Sequence, residues 1–228
     1  AEYVEIYTDV DGIMTADPNI VPNAKIIDRI DYREVFELAY QGAKVIHPRA
    51  VEYALEDNIP LIVKNTFSDT PGTVITNLVE YEDNLFTGVT SMANKAMVIV
   101  NPSEVPEGEA EAIFKLLEKR KINIDIISES HDQKVFIVDS DAAAEVEDIL
   151  KQLCAEYRII NNCSKIFLIG NKASCMEEIM SKLVKTLEVS NVNVLQIATS
   201  HNAICCLVGE ADNKKALNEL HRAFFCAG

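Results

Sequence analysis

A run of short polar side chains follows the first strand-like segment of the sequence. Residues 4–7 predict a short strand, and residues 8–12 after it are Thr-Asp-Val-Asp-Gly. Ligands bind at strand ends in α/β sheets, where hydroxyl and carboxylate groups can hold a ribose, a base edge or a metal–phosphate group. Asp and Gly are also common turn residues, so a plain turn is the alternative interpretation.

A second candidate for chemistry is the lysine in the run Gly-Ala-Lys-Val-Ile-His-Pro at residues 42–48. This run joins residues 31–41 and 48–57, whose apolar spacing predicts two amphipathic helices. Lys44 could neutralise a phosphate group as a point charge, and a solvated loop lysine is the alternative. His47 precedes a proline and has no second ligand nearby in sequence, so we interpret it as structural.

The sequence beyond residue 94 contains an internal duplication with an offset of 70 residues: residues 122–124 fall on 192–194, Ser130 falls on Ser200, and residues 135–138 fall on 205–208. An offset this long indicates a duplicated small domain, because solenoid repeats span about 20–50 residues.

Both copies predict the same order of elements: a strand, a helix, two strands joined by a tight turn, and a second helix. A closing strand completes the first copy, which gives the βαββαβ order of a ferredoxin-like unit. The second copy lacks this strand, so we expect the spare strand at residues 86–92 to pair with it. The predicted strands lie at 95–100, 124–128, 134–138 and 158–162 in the first copy, and at 165–170, 194–198 and 204–208 in the second; the second helices lie at 142–155 and 213–225.

Residues 1–84 have a different pattern, with strands predicted at 4–7 and 60–64 and a loop at 67–76. They read as the end of an α/β domain with too few strands for a complete sheet. The expected fold class is therefore α/β plus α+β. Its parts are an incomplete domain at 1–84, a ferredoxin-like domain at 94–162, and another at 163–228 that strand 86–92 completes.

The composition restricts the class of partner. A formal net charge of −15 over 228 residues argues against nucleic acid, because binding phosphate backbones needs a surplus of Lys and Arg. No apolar stretch approaches the roughly 18 residues of a membrane span. The cysteines form no C-x-x-C pair, so we expect a cytoplasmic protein with reduced thiols. The sequence predicts no metal site, and no nucleophile–base pair suggests a complete enzyme of another class.

In combination, residues 5–18 and 37–50 resemble the nucleotide-site segments of aspartokinases, with the same separation between the two. Aspartokinases phosphorylate the β-carboxyl of aspartate with ATP and Mg, and they carry two ACT regulatory domains after an amino-acid-kinase fold. ACT domains have the βαββαβ order that the duplication predicts independently. By position, the resemblance implies ATP contacts at Thr8, Asp9, Lys44 and Val45, with Met14 and Asn19 at two further nucleotide positions.

The chain departs from the aspartokinase pattern in three places. Met14 replaces a common aromatic residue, and Asn19 replaces the arginine of an Asp-Pro-Arg motif, which removes a phosphate contact. The Lys-Phe-Gly-Gly-Thr-Ser stretch of aspartokinases does not occur in residues 1–228. Phosphoryl transfer depends on positioning and charge stabilisation. We therefore expect no catalytic residue, no tightly bound ATP and no kinase activity in this chain alone.

ACT-type sensors bind an amino acid between the loop that opens the first helix and the strand after it, at an interface between units. Backbone N–H groups at a helix start suit a carboxylate, and an amide and an acid on the strand suit an ammonium group. The resemblance carries this effector site to Gly108, Asn123, Asp125 and Ser130 in the first copy. The second copy keeps Asn193 and Ser200 but has Leu195 and Glu178 at the acid and glycine positions, so we expect it to pack and to form a dimer interface.

Two interpretations of the whole chain follow. The first is the C-terminal, regulatory part of an aspartokinase, either as a truncation or as a separately made regulatory chain, under feedback control by an end-product amino acid. The second is a stand-alone amino-acid-binding ACT module or a degenerate aspartokinase paralogue. The sequence does not choose among lysine, threonine and diaminopimelate as effector. A homodimer through the ACT domains is expected in either case.

Overall fold

The computed structural model describes residues 1–77, 86–101, 109–130, 133–153, 156–170, 176–200 and 202–226. The chain divides into two compact units. Unit 1 comprises residues 1–92, 166–208 and 212–228, and unit 2 comprises residues 93–165 and 209–211.

The N-terminal part of unit 1 is a four-stranded sheet with the order β1-β3-β4-β2. Strands β1 and β3 are parallel, with Thr8 opposite Asn65, so both strands end at the same edge of the sheet. The sequence predicted a loop over residues 67–76, which was wrong at its end, because the β-branched run Thr73–Thr76 pairs antiparallel with β3. The elements are β1 (Val4–Thr8), β2 (Arg29–Asp31), α1 (Tyr32–Tyr40), α2 (Pro48–Glu56), β3 (Leu61–Asn65) and β4 (Thr73–Thr76).

Unit 2 has the βαββαβ order and the strand order β6-β7-β5-β8. Its helices bury one apolar face against the sheet, with Ile113 and Leu117 on α3 and Val146, Ile149 and Leu150 on α4 in the core. This confirms the predicted ferredoxin-like fold class. The elements are β5 (Gly88–Val100), α3 (Glu109–Lys119), β6 (Asp125–Glu129), β7 (Lys134–Asp139), α4 (Ala143–Gln152) and β8 (Tyr157–Ile169), of which β5 and β8 begin or end in unit 1.

The second copy of the repeat lies in unit 1 with the strand order β5-β8-β10-β9. The Thr87 N–H donates to the Ile169 carbonyl oxygen over 2.7 Å, next to the first residues of β5. Ala16 and Val21 from the N-terminal segment share the hydrophobic core of this copy. Its further elements are α5 (Met176–Val189), β9 (Val194–Thr199), β10 (Ala203–Gly209) and α6 (Asn213–Phe225).

Two pairs of strands that the sequence separated are continuous. Residues 86–92 and 95–100 were predicted as separate strands, and so were 158–162 and 165–170, but each pair merges into one strand, β5 or β8. Asn94 and Asn162, at φ of 61° and 55°, lie within these strands. Asparagine tolerates this left-handed conformation better than most residues, so each strand passes through an irregularity without ending. Helix α4 ends at Gln152, earlier than predicted.

The duplication extends to the way the helices end. Lys121 after α3 and Asn191 after α5 are 70 residues apart and have φ of 57° and 51°. In both copies the next N–H donates back to a carbonyl in the last turn, from Ile122 to Leu117 and from Val192 to Leu187, each over 2.9 Å. These are helix C-terminal caps of the Schellman type.

Unit 1 buries the carboxyl group of Glu34, which is only 4% exposed on α1. The Thr87 hydroxyl donates to Oε1 over 2.7 Å, and Oε2 has no hydrogen-bond partner within the described part of the chain. Burial raises the pKa of this carboxyl to about 7, against a partial lowering by the Thr87 hydroxyl. Glu34 therefore holds its proton in the folded state at a pH where it ionises in the unfolded state.

Glu34→Gln is expected to change how stability depends on pH. A raised folded-state pKa means that the stabilisation is full below about pH 4.5 and is lost as pH rises through about 7. The amide keeps the Thr87 hydrogen bond without ionising, so the variant should gain up to about 3 kcal/mol over the unmodified chain at pH 8 and less than about 1 kcal/mol at pH 5. Urea unfolding at both pH values measures the difference.

Glu56→Gln is the matched control, because Glu56 is exposed at the end of α2. It should follow the unmodified chain at both pH values. An equal effect of Glu34→Gln at pH 5 and pH 8 would mean that Glu34 does not titrate in this range.

Candidate functional site

The carboxyl ends of β1 and β3 are joined through the side chain of Asp11. Its Oδ1 accepts hydrogen bonds from Asn65 Nδ2 at 2.7 Å, Ser68 Oγ at 2.7 Å and Thr70 Oγ1 at 3.4 Å. The Ser68 hydroxyl and then the Asn65 amide lower the pKa of the Asp11 carboxyl. The ionised carboxylate therefore fixes the segment after β3 against residues 8–12, and this contribution is lost only as pH falls through the lowered pKa.

Two glycines bring the backbones close together at this edge. A Cβ on Gly72, which has a φ of 80°, would lie 2.1 Å from the Val63 carbonyl oxygen. A Cβ on Gly12, at a φ of 148°, would lie 2.6 Å from Thr73 Oγ1. That hydroxyl oxygen accepts the Ile13 N–H over 2.8 Å. The edge is a tightly packed and hydrogen-bonded arrangement of three chain segments.

The candidate nucleotide residues on the first segment lie on or after β1. Thr8 is the last residue of β1, its hydroxyl donates to Asp9 Oδ1 over 3.1 Å, and Asp9 is exposed. Met14 forms an isolated antiparallel bridge with Ile26. Asn19 is exposed, and its side-chain amide donates to Asp17 Oδ1 over 3.0 Å.

Thr15 anchors this segment within unit 1. Its Oγ1 accepts the Lys25 N–H over 3.0 Å and lies 2.8 Å from His221 Nε2. The ring of His221, which is 1% exposed on α6, stacks on Phe225. Burial, and to a smaller extent the charge of Lys25, lowers the pKa of His221. A neutral imidazole therefore connects the residue after Met14 to the last helix of the second repeat copy.

The other candidate nucleotide residues lie in the turn between α1 and α2, where Lys44 is exposed and Val45 is half-buried. Gly42, with a φ of 112°, opens this turn, and a Cβ there would lie 2.7 Å from the carbonyl oxygen of Ser91 on β5. His47 caps α2, with Nδ1 accepting the Arg49 N–H over 3.2 Å, which agrees with its structural interpretation. The side chain of Lys44 is thus exposed to solvent, in a loop that packs against β5 at Gly42.

Asn65, Ser68 and Thr70 were missed as candidate residues by sequence reasoning. The polar run Asn-Thr-Phe-Ser-Asp-Thr at residues 65–70 directly follows β3. Parallel neighbouring strands end at one edge, so pairing this run with residues 8–12 was the available signal.

The candidate effector residues lie around β6 in unit 2, except Gly108, which is outside the described residues. Asn123 is exposed and precedes β6, and Asp125 is the first residue of that strand. The expectation that both lie on one strand was wrong, because the β6–β7 ladder starts at Asp125, opposite Ile137. The register of the ladder then shifts between Asp125 and Ser128, where Ile126 has a φ of 47°. The Ser130 hydroxyl closes the β6–β7 turn by accepting the Gln133 N–H over 3.1 Å, as Ser200 does with Ala203 over 3.1 Å.

Asp125 forms an ion pair with Lys165 on β8. The Lys165 side chain is 2% exposed, whereas the Asp125 side chain is 49% exposed. The repeat equivalent of Lys165 is Lys95, which instead pairs with Asp139 at 2.5 Å, directly across the β5–β7 ladder. A buried ammonium group needs a counter-ion, so Asp125 has a structural role as the partner of Lys165.

Among the described residues, no group of three or more His, Cys, Asp or Glu side chains is placed to hold a metal ion. Within the same residues, no helix is both long enough and apolar enough to cross a membrane.

Two family models match the chain, the amino acid kinase family over residues 1–65 and the ACT domain over residues 166–224. Aspartokinase 1 of Bacillus subtilis is 34% identical over 231 residues, which cover 98% of this chain and 57% of that protein. The aspartokinase of Mycolicibacterium smegmatis is 35% identical over 244 residues, which cover 100% of this chain and 58% of that protein. The chain therefore spans a little over half the length of the curated relatives it matches.

Solved structures agree with the sequence relatives. The aspartate kinase of Clostridium acetobutylicum superposes with a TM-score of 0.88 at 26% identity, covering 97% of this chain and 54% of that one. Escherichia coli aspartokinase III in complex with lysine and aspartate gives a TM-score of 0.78 at 27% identity, covering 99% and 52%. The regulatory subunit of the aspartate kinase of Thermus thermophilus gives 0.54 at 25% identity, covering 62% and 99%.

Asp11→Ala is expected to release the segment after β3 without unfolding unit 1. The substitution removes up to three hydrogen bonds, and each is worth about 1 kcal/mol, or roughly fivefold in local opening. Backbone amides of residues 66–70 should therefore exchange with deuterium several-fold faster. Asp9→Ala is the control, because the Asp9 carboxylate accepts a hydrogen bond from the hydroxyl of its neighbour Thr8 and none from the segment after β3 among the described residues. Equal exchange in both variants would contradict the role given to Asp11.

Proposed function

Because this chain matches the C-terminal part of aspartokinases, with the end of the amino-acid-kinase domain followed by ACT domains, we propose that it is a regulatory region that binds an effector amino acid. The observation that carries the proposal is the unequal pair of βαββ repeats. In unit 2 an acid, Asp125, stands at the start of β6, where Leu195 stands in the second copy. The carboxylate of an aspartate can form an ion pair with the ammonium group of an amino acid, whereas the aliphatic side chain of a leucine cannot.

The effector site in this proposal is formed by Gly108, Asn123, Asp125 and Ser130. Asn123 and Asp125 are exposed and so can reach a ligand, and Ser130 shapes the turn beside them. The effector is an end-product amino acid of the pathway that begins with aspartate phosphorylation, with lysine, threonine and diaminopimelate as the candidates. Escherichia coli aspartokinase III has been solved in complex with lysine and aspartate, which supports an amino acid as the ligand.

The nucleotide side of the proposal assigns Thr8, Asp9, Met14, Asn19, Lys44 and Val45 to ATP, bound with Mg in a full-length enzyme that phosphorylates aspartate. Thr8 and Asp9 at the end of β1 and Lys44 in an exposed turn have the chemistry for a nucleotide. Asn19 is held by Asp17 and supplies no cation. ATP binding to this chain alone is therefore weak, and catalysis needs residues that this sequence does not contain.

The division into domains belongs to the same proposal: residues 1–84 as part of the kinase domain, 94–162 as the first ACT domain, and 163–228 as the second, completed by residues 86–92. The hydrogen bond from Thr87 to Ile169 supports this completion. The protein acts in the cytoplasm as a homodimer through its ACT domains.

A separately made regulatory chain is one form of this first candidate. The Thermus thermophilus protein that matches 62% of this chain over 99% of its own length is itself a regulatory subunit. The second candidate is a stand-alone amino-acid-binding ACT module or a degenerate aspartokinase paralogue, which Glu178 and Asn19 favour because both depart from the aspartokinase pattern.

Asn123→Ala is expected to abolish the thermal shift that the effector gives. An amino acid at 100 times its Kd should stabilise the unmodified chain by about 2.7 kcal/mol, and loss of an amide bonded to a charged group should weaken binding at least about tenfold. Lysine, threonine and diaminopimelate are screened by differential scanning fluorimetry. Asn193→Ala, at the repeat-equivalent exposed position, should keep the shift.

A screen in which none of the three ligands raises the melting temperature of the unmodified chain would contradict effector binding. Equal losses in the two asparagine variants would contradict the assignment to the first copy.

The chain alone is expected to release no ADP from ATP and aspartate in a coupled assay. Phosphoryl transfer requires the phosphates, the metal and the acceptor carboxylate to be held together, and this chain supplies one side of that arrangement. The full-length Bacillus subtilis aspartokinase 1 serves as the positive control. Turnover above background by the chain alone would refute inactivity, and its loss in Lys44→Ala would assign that turnover to this chain.

A further inference from the structure

The Asp125 carboxylate is shared between the interior of unit 2 and the solvent. Lys165 is among the largest fully buried side chains of the chain, and its ammonium group contacts Asp125 Oδ2. About half of the Asp125 side chain remains exposed. One side of the carboxylate thus compensates a buried cation, while the other side can meet a ligand.

The two repeat copies differ in how they compensate this lysine. Lys95 faces Asp139 on the neighbouring strand. The position equivalent to Asp139 in the second copy is Gly209, which has no side chain. Gly209 offers no carboxylate at the position where Asp139 pairs with Lys95, and Lys165 is paired with Asp125.

The second acid of β6 is also compensated. Lys134 at the start of β7 forms an ion pair with Glu129 at the end of β6. Both carboxylates of β6 consequently have a cationic partner within unit 2. The strand that carries the proposed effector site is balanced in charge before any ligand binds.

We infer that Lys165 determines the charge class of the effector, and that the site prefers an amino acid without net charge to a dibasic one such as lysine. This inference rests on the proposed function. The α-ammonium group of any amino acid can use the exposed side of Asp125. A second ammonium group would find both acids of β6 already paired and would be repelled by Lys165, so its desolvation would not be offset.

The test is Lys165→Met with two probes of the same carbon skeleton, L-lysine and L-norleucine, which differ by the terminal ammonium group, and with L-threonine as a shorter neutral probe. Methionine replaces the buried aliphatic stem with an apolar chain, and the half-exposed Asp125 stays hydrated, so the fold should persist. Isothermal titration calorimetry gives the ratio of the Kd for lysine to the Kd for the neutral probe that binds.

The unmodified chain should bind a neutral probe more tightly than lysine. Lys165→Met should shift the ratio in favour of lysine by about tenfold, the effect of one uncompensated unit charge about 6 Å away at an effective dielectric constant of about 40. Lys165→Gln, which also removes the charge but keeps a hydrogen-bond donor, should shift the ratio in the same direction and replaces the first variant if methionine impairs folding.

Lys95→Met is the matched control, because it removes the repeat-equivalent lysine, whose partner is Asp139 and not Asp125. It should leave the ratio unchanged. Binding without a shift in either Lys165 variant, or an equal shift in Lys95→Met, overturns the charge-class inference and leaves effector binding standing. Failure of every amino acid to bind the unmodified chain overturns the proposed function itself.

Discussion

Each four-stranded ferredoxin-like sheet needs all of its strands to be paired. Two long strands, β5 and β8, satisfy this requirement for both repeat copies, because each contributes residues to both units. β5 contributes residues 88–92 to unit 1 and 93–100 to unit 2, and β8 contributes 157–165 to unit 2 and 166–169 to unit 1. An open edge would expose a row of unpaired backbone groups. The order of elements, the cores and the candidate effector strand all depend on these two strands continuing through Asn94 and Asn162.

The buried ionisable groups divide into two kinds. Lys95 and Lys165 each form an ion pair with an acid. Glu34 and His221, both in unit 1, are hydrogen-bonded to the hydroxyl groups of Thr87 and Thr15, and burial moves the pKa of each towards its neutral form. Ion pairs thus lie beside the candidate effector strand, whereas the side chains of Glu34 on α1 and His221 on α6 are shifted towards their neutral forms.

Local patterns and repetition were enough to predict much of this architecture. The 70-residue offset predicted the βαββ repeats, and matching turns at Ser130 and Ser200 and matching caps at Lys121 and Asn191 agree with it. The resemblance to aspartokinases, carried by residues 5–18 and 37–50, is confirmed by relatives and solved structures. Side-chain contacts between distant positions were not predicted. Asp125 and Lys165 are 40 residues apart, and only the folded arrangement of β6 and β8 brings them together. The hydrogen bonds of Asp11 likewise depend on β1 and β3 being parallel neighbours, and the length of β4 depends on its pairing with β3.

Strand sharing also has a consequence for how the gene can change. A deletion that removes either repeat copy would take half of β5 or β8 with it and leave the other copy with an unpaired edge. Selection for a folded chain therefore preserves both copies, even where only one of them retains ligand chemistry. Leu195 and Glu178, which do not repeat the proposed ligand residues of the first copy, are compatible with this constraint: the shared strands would keep the second copy in place whether or not it binds a ligand.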